Sequence, residues 1–342
     1  MGGTSRMIEI AVVGCGVWGR NHIRVLSSLR GAKVDKAVDP SLTALGWVRE
    51  FFPGIACEQD VDSILNDPAI EAVVIATPTR SHYDLTRRAL AAGKHVLCEK
   101  PLCQTAKEAR ELVDLAATGG LRLMVGHIFL FNAGLQKVKQ LLDAGEIGRV
   151  YYLSAVRTNL GPIRDDVNAS YDLAAHDVSI FNWLLGGPPE AVSATGASFL
   201  QPGIEDVAFI SLRYPRDIFA NIHASWLNPK KVRQITVVGS RTMVTWDDLE
   251  LNTPVTIYDK GANPEHEYSE YGEFLRLSMW DGDVRQPKVN LGEPLRAEDR
   301  HFLDRIRNDG DLQSDGVFSL DVVRVLEAAE LSLKQGGLAI TL

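Results

Sequence analysis

Two short runs in this sequence combine the side chains that proton and hydride chemistry needs. Val96-Leu97-Cys98-Glu99-Lys100-Pro101 is an apolar run that stops abruptly at a charged pair. It reads as a buried strand whose end delivers Glu99 and Lys100 to a cleft. Proline disfavours the α region for the residue before it, so the Lys100 backbone is held extended and its amine can be aimed. A solvated lysine at a strand end is the plainer reading, since lysines are mostly exposed, and only the surrounding motifs argue against it. In the second run, Tyr171-Asp172-Leu173-Ala174-Ala175-His176-Asp177, Asp172 and His176 stand four apart at the start of a helical pattern, on one face and within reach of each other. A lone histidine on a helix is usually structural; an acid one turn earlier and a polar loop ahead of it favour chemistry. An imidazole with an ordinary pKa near ~6.5 exchanges protons at neutral pH, whereas a lysine near ~10.4 needs desolvation or a cationic neighbour to do so. His176 is therefore the candidate proton acceptor for a secondary alcohol. Lys100 would hydrogen-bond the alcohol oxygen and stabilise alkoxide charge, and Asp172 would orient the imidazole or hold a neighbouring hydroxyl.

Oxidation also needs a hydride acceptor, and the N-terminus offers a place for one. Ile8–Val13 is a β-branched strand running into Gly14-Cys15-Gly16-Val17-Trp18-Gly19, followed by a helical pattern to about Leu29. This is G-x-G-x-x-G in its required setting, after a strand and at the mouth of a helix. Gly14 permits the tight turn, Gly16 lets the backbone approach a pyrophosphate, and Gly19 lets helix and strand pack closely. Val17 and Trp18, inside the loop, join the cofactor-binding set. Asp39 closes the next strand, Lys33–Val38, 25 positions after Gly14 (39 − 14), where an acid hydrogen-bonds ribose hydroxyls. A carboxylate there repels a 2′-phosphate and no arginine follows it, so NAD is favoured over NADP. Asp39-Pro40 as a mere turn opener is the alternative.

The elements that must position these groups alternate. Helical patterns over 41–52, Ser81–Ala92 and Thr105–Thr118 separate apolar strands at Ala72–Ala76, which ends in Thr77-Pro78, at 96–99 and at Arg122–Val125. Such alternation predicts a doubly wound parallel (Rossmann) sheet, whose ligands sit at the strands' carboxyl ends. Gly14, Asp39, Thr77 and Lys100 all fall at such ends, on one rim. The alternation stops near 127, which divides the chain into an NAD-binding domain, 7–127, and a substrate-binding and oligomerisation α/β domain, 128–342. In the latter a helix over Leu135–Ala144 and a strand over Val150–Thr158 precede a polar stretch, then the His176 helix runs to Leu185. Strands at Val207–Tyr214, Ile218–Trp226, Val232–Gly239 and Thr242–Trp246 follow at hairpin intervals. Alternation on Ile218–Trp226 sets Ile218, Ala220, Ile222, Ala224 and Trp226 against Phe219, Asn221, His223 and Ser225. The second face is broad and semi-polar, which predicts a homo-oligomer, dimer or tetramer, with His223 and Trp226 as interface or core residues. The segment 254–287 reads as an arm or a cover, and two amphipathic helices, Glu298–Arg307 and Ser319–Gln335, end the chain.

Composition bounds the rest. A chain of 342 residues suits two domains of ~150 each. Its net charge of −8 argues against a general nucleic-acid or anionic-membrane surface. No apolar run approaches the ~20 residues of a membrane span, and no signal pattern opens the chain; a cytoplasmic location is expected, with Met1–Arg6 as a polar lead. The four cysteines, at 15, 57, 98 and 103, form neither a disulfide framework nor a Cys-x-x-Cys pattern, so reduced thiols and no metal are expected.

Taken together, Gly14-x-Gly16-x-x-Gly19, Asp39, Thr77-Pro78 with His82, Glu99-Lys100-Pro101, Gly145-x-Ile147-Gly148 and Asp172-x-x-x-His176-Asp177 resemble the Gfo/Idh/MocA family of nicotinamide-dependent oxidoreductases over almost the whole chain. The resemblance implies a C-terminal domain with a large, mainly antiparallel open sheet and a cofactor shared between domains. It also puts Lys100, Asp172 and His176 at the positions of a Lys/Asp/His catalytic set, without settling which group moves the proton. Arg157, Asn159, Arg164 and Asn168 lie just ahead of the Asp172 helix, where they could contact a sugar or phosphate. The run 157–177 is similar to the subgroup of UDP-N-acetylglucosamine and UDP-N-acetylglucosaminuronate 3-dehydrogenases. Those commonly show Trp-[Asp/Asn]-Leu-Ala-Pro-His-Asp, whereas this chain has Tyr171 for the tryptophan and Ala175 for the proline, which leaves the sugar open. The implied reaction is hydride transfer between NAD and a secondary alcohol of a sugar or nucleotide-sugar, C3 of a UDP-sugar being favoured. An NAD-dependent glycoside hydrolase of the same fold and a non-catalytic nucleotide sensor are the alternatives from other classes.

Overall fold

The computed structural model describes residues 6–161, 163–164, 167–262 and 279–342. The chain folds into two compact units, the first made of residues 1–131 and 292–327, the second of 132–291 and 328–342. The first opens with β1 (Ile8–Val13), α1 (Val17–Ser28), β2 (Ala32–Val38), α2 (Leu42–Phe51), β3 (Ala56–Glu58), α3 (Asp62–Leu65), β4 (Ala72–Ile75), α4 (His82–Ala91), β5 (His95–Glu99), α5 (Ala106–Thr118) and β6 (Leu123–Gly126). Among the described residues these strands form a six-stranded sheet in the order β3-β2-β1-β4-β5-β6, every pair parallel. Strand order reverses between β1 and β4, the point at which open α/β sheets bind their ligands. The strands are apolar on both faces because helices cover both: Ile10, Val12, Val74 and Leu97 face one core, Ala11, Val73, Ile75 and Val96 the other. α1 presents Gly19, His22, Ile23 and Leu26 to the sheet at helical spacing. Thr105 and Glu108 start α5 with a reciprocal capping box.

The second unit begins with α6 (Ala133–Asp143), β7 (Val150–Leu160) and α7 (Ala175–Leu185). It continues with β8 (Ala191–Ala197), β9 (Val207–Tyr214), β10 (Ile218–Ser225), β11 (Leu227–Gly239), β12 (Met243–Asp247), β13 (Val255–Ala262) and β14 (Met279–Arg285). The chain then forms α8 (Pro294–Asn308) and α9 (Gly316–Lys334), and β15 (Ile340–Thr341) completes the second unit's sheet. Its order among the described residues is β14-β13-β12-β11-β7-β10-β9-β8-β15, antiparallel throughout except for β7 beside β10. One face of β10 is buried at Ile218, Ala220, Ile222 and Ala224, while Phe219 is 48% exposed on the other. The period-2 reading of that strand therefore holds, Ser225 being the exception, since it is buried.

The contiguous division at 127 differs from what is seen. Residues 292–327 belong to the first unit because α8 sends Leu295, Phe302 and Leu303 into the core of β1 and α1, and α9 sends Leu320 and Val323 into the core of β4 to β6. The stretch 254–287, read as an arm or cover, supplies β13 and β14 at the sheet edge; its middle, 263–278, lies outside the described residues. Among the described residues no helix is long and apolar enough to cross a membrane.

Candidate functional site

The glycine loop joins β1 to α1, and its three glycines are held for different reasons. Gly14 lies at φ +90 and donates its N–H to the Val38 carbonyl at 2.8 Å; a β-carbon there would stand 2.5 Å from the Ala76 carbonyl oxygen. A β-carbon on Gly19 would overlap the Gly14 carbonyl. Gly16 is different: its φ of −72 suits any residue, and nothing lies within 4 Å of where its β-carbon would be. The fold does not need a glycine at 16, and the space it leaves is open to a ligand. Gly16 is the N-cap of α1, no side chain caps this end, and no acid occupies its first turn. Its N–H groups and the positive end of the helix dipole suit a pyrophosphate. Val17 and Trp18 flank the loop exposed to solvent. At the end of β2, Asp39 is fixed by the Cys15 N–H at 2.7 Å and the Ser41 N–H at 2.8 Å, one on each oxygen, which presents a rigid acceptor pair for ribose hydroxyls. These residues fit NAD, and a carboxylate at 39 would repel a phosphorylated ribose.

On the same rim β4 ends before Thr77-Pro78 and β5 before Lys100. His82 ties the two ends together: buried, it sets Nδ1 2.7 Å from the Pro101 carbonyl and Nε2 2.8 Å from the Thr77 carbonyl. Burial holds its pKa below 6.5 against the pull of those two oxygens, and the neutral ring donates to one of them at a time. His82 thus braces the rim from inside. The Lys100–Pro101 bond is cis, and Glu99 accepts the Lys100 N–H at 3.2 Å. Behind this strand end His127 is buried and neutral, pushed down to about 3 by burial first and by the Lys100 charge second. Burial likewise pushes the Cys15 and Cys98 thiols up to about 12 and Cys103 above its usual range, so all three stay protonated.

In the second unit, the helix bearing His176 starts differently from expectation. Ser170–Ala174 form a π-helical turn before α7 takes over at Ala175. The start is pinned by Asn168, whose Oδ1 accepts the Tyr171 N–H and whose carbonyl accepts the Asp172 N–H, both at 3.0 Å, and by the Ala169 N–H on the Glu205 carbonyl at 2.9 Å. Wide turns of this kind recur at functional sites. Asp172 is gripped on both oxygens, by Trp226 Nε1–H at 3.2 Å and by Arg164 Nη1 at 3.4 Å. His176 is half-buried one turn on.

The residues expected to meet substrate divide. Arg157 is only 3% exposed, and its guanidinium forms a fork with Asp177 at 2.9 and 2.8 Å, which fastens β7 to α7. The Asn168 amide donates to Glu205 at 2.8 Å, so this side chain is also spent on the frame. Arg164 reaches Asp172, and Asn159 is half-buried near the end of β7. The Trp226 contact with Asp172 was not foreseen; its place on the buried face of its strand pointed only to the core. Nor was His22, which lies against Glu99. Its seat on the apolar face of α1 was a readable sign, but its partners were not.

Residues 8–127 match the model of an oxidoreductase family with an NAD-binding Rossmann fold, and residues 135–245 match the GFO/IDH/MocA C-terminal domain. The chain is 30% identical to inositol 2-dehydrogenase 2 of Saccharopolyspora erythraea over 63% of its own length and 66% of that protein's, just under two thirds of it. An oxidoreductase from Magnetospirillum magnetotacticum MS-1 superposes with a TM-score of 0.80 at 30% identity, covering 94% of this chain and 99% of that one. The WlbA dehydrogenase of Bordetella pertussis, solved with NADH and UDP-GlcNAcA, shares the fold at 24% identity with a TM-score of 0.83, covering 100% and 99% of the two chains.

Proposed function

Because the chain belongs to the Gfo/Idh/MocA oxidoreductase family, we propose that it oxidises a secondary alcohol of a sugar, cyclitol or nucleotide-sugar with NAD. The observation that carries this reading is the single rim on which Gly16, Asp39 and Lys100 follow the carboxyl ends of β1, β2 and β5 of one parallel sheet. NAD, when bound, supplies the hydride acceptor. Lys100 donates a hydrogen bond to the substrate oxygen and stabilises the charge that grows there as the hydride departs. His176 takes the hydroxyl proton as general base. Asp172, held by Trp226 and Arg164, keeps the histidine turn in place and offers an acceptor to a neighbouring hydroxyl. Glu99, Thr77 and Pro78 shape the cofactor side, while His82, Arg157 and Asn168 are assigned to the frame.

Within this reading a nucleotide-sugar is the finer choice. It is supported by the run 157–177 and by the UDP-sugar bound to the Bordetella pertussis WlbA dehydrogenase, and opposed by the inositol activity named for the Saccharopolyspora erythraea relative. Tyr152, Phe209 and Phe219 are large exposed side chains on the open face of β7, β9 and β10, where Phe209 stacks on His223 with centroids 4.4 Å apart. We assign this face to a second copy of the chain. The test is a panel of myo-inositol, scyllo-inositol, UDP-GlcNAc and UDP-GlcNAcA with NAD, read at the absorbance of the reduced nicotinamide. At least one should turn over, and His176→Ala and Lys100→Ala should each suppress it. Release of free sugar from a glycoside without net reduction would favour the hydrolase; NAD binding with no turnover on any polyol would favour a sensor.

A further inference from the structure

His22 lies within the first unit at the centre of a chain of hydrogen bonds that ends on the lysine strand. The ring is fully buried; Nδ1 is 2.9 Å from Asp299 on α8 and Nε2 is 3.3 Å from Glu99 at the end of β5. The other Glu99 oxygen accepts the Lys100 N–H at 3.2 Å. Gly126 makes room for this carboxylate, since a β-carbon there would stand 3.2 Å from Glu99 Oε2. Asp299, His22, Glu99 and the Lys100 amide are therefore linked in one line, from α8 through α1 to the strand end. We propose that His22 is a positioning residue: clamped by Asp299, it fixes the Glu99 carboxylate and through it the direction in which the Lys100 strand end leaves the sheet. This rests on the assignment of Lys100 to the chemistry.

Two features support a clamp over simple filling. First, both ring nitrogens face carboxylate oxygens, so with both carboxylates ionised the ring satisfies both contacts as imidazolium, a charge-assisted pair of bonds roughly twice as strong as neutral ones. Burial alone would drive off the extra proton, but Asp299 and Glu99 outweigh it and hold the ring protonated well above 6.5. Second, a misplacement of ~1 Å in a group that contacts the reacting atoms costs about 100-fold in rate, so a rigid brace on the residue next to the lysine has a kinetic consequence. Glu298 also lies against this cluster and is fully buried, and one donor atom each from His22, Glu298 and Asp299 falls within 4.8 Å of the others. That spacing could bridge a cation, but both imidazole nitrogens already face carboxylates, which favours the proton.

The test compares wild type, His22→Gln and Asp299→Asn. Peptide-resolved hydrogen exchange over 96–103 should show the Lys100 amide opening roughly tenfold or more faster in His22→Gln, the weight of one hydrogen bond to a charged group. Histidine ring NMR should show one imidazolium that persists after the other histidine rings have lost their charge, absent in His22→Gln. With the polyol that turns over in the panel above, kcat should fall by about 10–100-fold in His22→Gln, with KM and NAD affinity nearly unchanged. Asp299→Asn, the gentler change, covers the case in which His22→Gln does not fold, and should show the same pattern more weakly. Folded variants with lowered melting temperature but wild-type kcat and wild-type exchange at Lys100 would overturn the proposal. So would a stoichiometric metal in the purified protein. If wild type turns over and Lys100→Ala does too, the assignment of the lysine fails instead, while exchange and NMR still judge the clamp.

Discussion

Gly16→Ala separates holding the fold from holding the cofactor. At φ −72 with open space where its β-carbon would be, alanine fits without strain and removes freedom from the unfolded chain. Substitutions of this kind add about 0.4–1 kcal/mol, which moves a melting temperature up by roughly 1–4 °C. The methyl group occupies the space into which a pyrophosphate would settle on the end of α1. Losing one backbone hydrogen bond to a charged group costs about 1.5–3 kcal/mol, or roughly 10–150-fold in affinity for NAD. Gly14→Ala should do the reverse to stability. Its φ of +90 costs a side chain about 1–2 kcal/mol, before the overlap with the Ala76 carbonyl is relieved. Thermal melting and calorimetric NAD titration of the three proteins decide the matter. A Gly16→Ala protein that melts like wild type and binds NAD equally well would show that the pyrophosphate does not rest on this loop. One that fails to fold would show that the space at 16 is not open.

Other consequences can be measured directly. Arg157→Met alone should cost about 3–5 kcal/mol by stranding the buried Asp177 carboxylate, and Arg157→Met with Asp177→Leu should recover most of it; a stable double variant without turnover would return Arg157 to the substrate. The folded chain holds a proton on Glu298, which burial raises well above 4.5, and on His22 above 6.5, whereas the unfolded chain releases both. Stability from these groups therefore falls as pH rises above 4.5 for Glu298 and above 6.5 for His22, against the opposite slope that the neutral His82 and His127 give below 6.5. Glu298→Gln should flatten the acid part of that decline and melt higher near neutrality; an unchanged profile would mean that Glu298 is ionised in the fold. Phe219→Asp should yield a smaller species in sedimentation than wild type, with the monomer's melting cooperative; identical sedimentation would remove the open face from assembly.

Much of this was legible because some signals are local. β4 is an unbroken apolar run and β1 and β5 are largely apolar, and with β2 they end in marked residues, which puts Gly14, Asp39, Thr77 and Lys100 on one rim. β3 and β15, of three and two residues, have no periodicity to read, and β8 is built from small residues that pattern weakly. The π turn at Ser170–Ala174 depends on Glu205, 36 residues beyond Ala169 (205 − 169), so the local run reads simply as helix. Arg157 looked like an anion contact because its type suits one, and only the fold reveals that Asp177 uses it. Glu298 and Asp299 did carry a readable sign, two acids set into the stripe of Leu295, Phe302 and Leu303. Their partner His22 is 277 positions from Asp299, and no local pattern reaches so far.

The return of residues 292–327 to the first unit has a bearing on synthesis. Ribosomes add about 5–20 residues per second, and 161 positions separate Phe131 from Gly292 (292 − 131). For some ~8–30 s the sheet of β1 to β6 must wait with the ground for Phe302 and Leu303 uncovered. A nascent chain stalled before α8 is thus the species in which this protein should recruit a holdase, and the synthesis of α8 is what frees it.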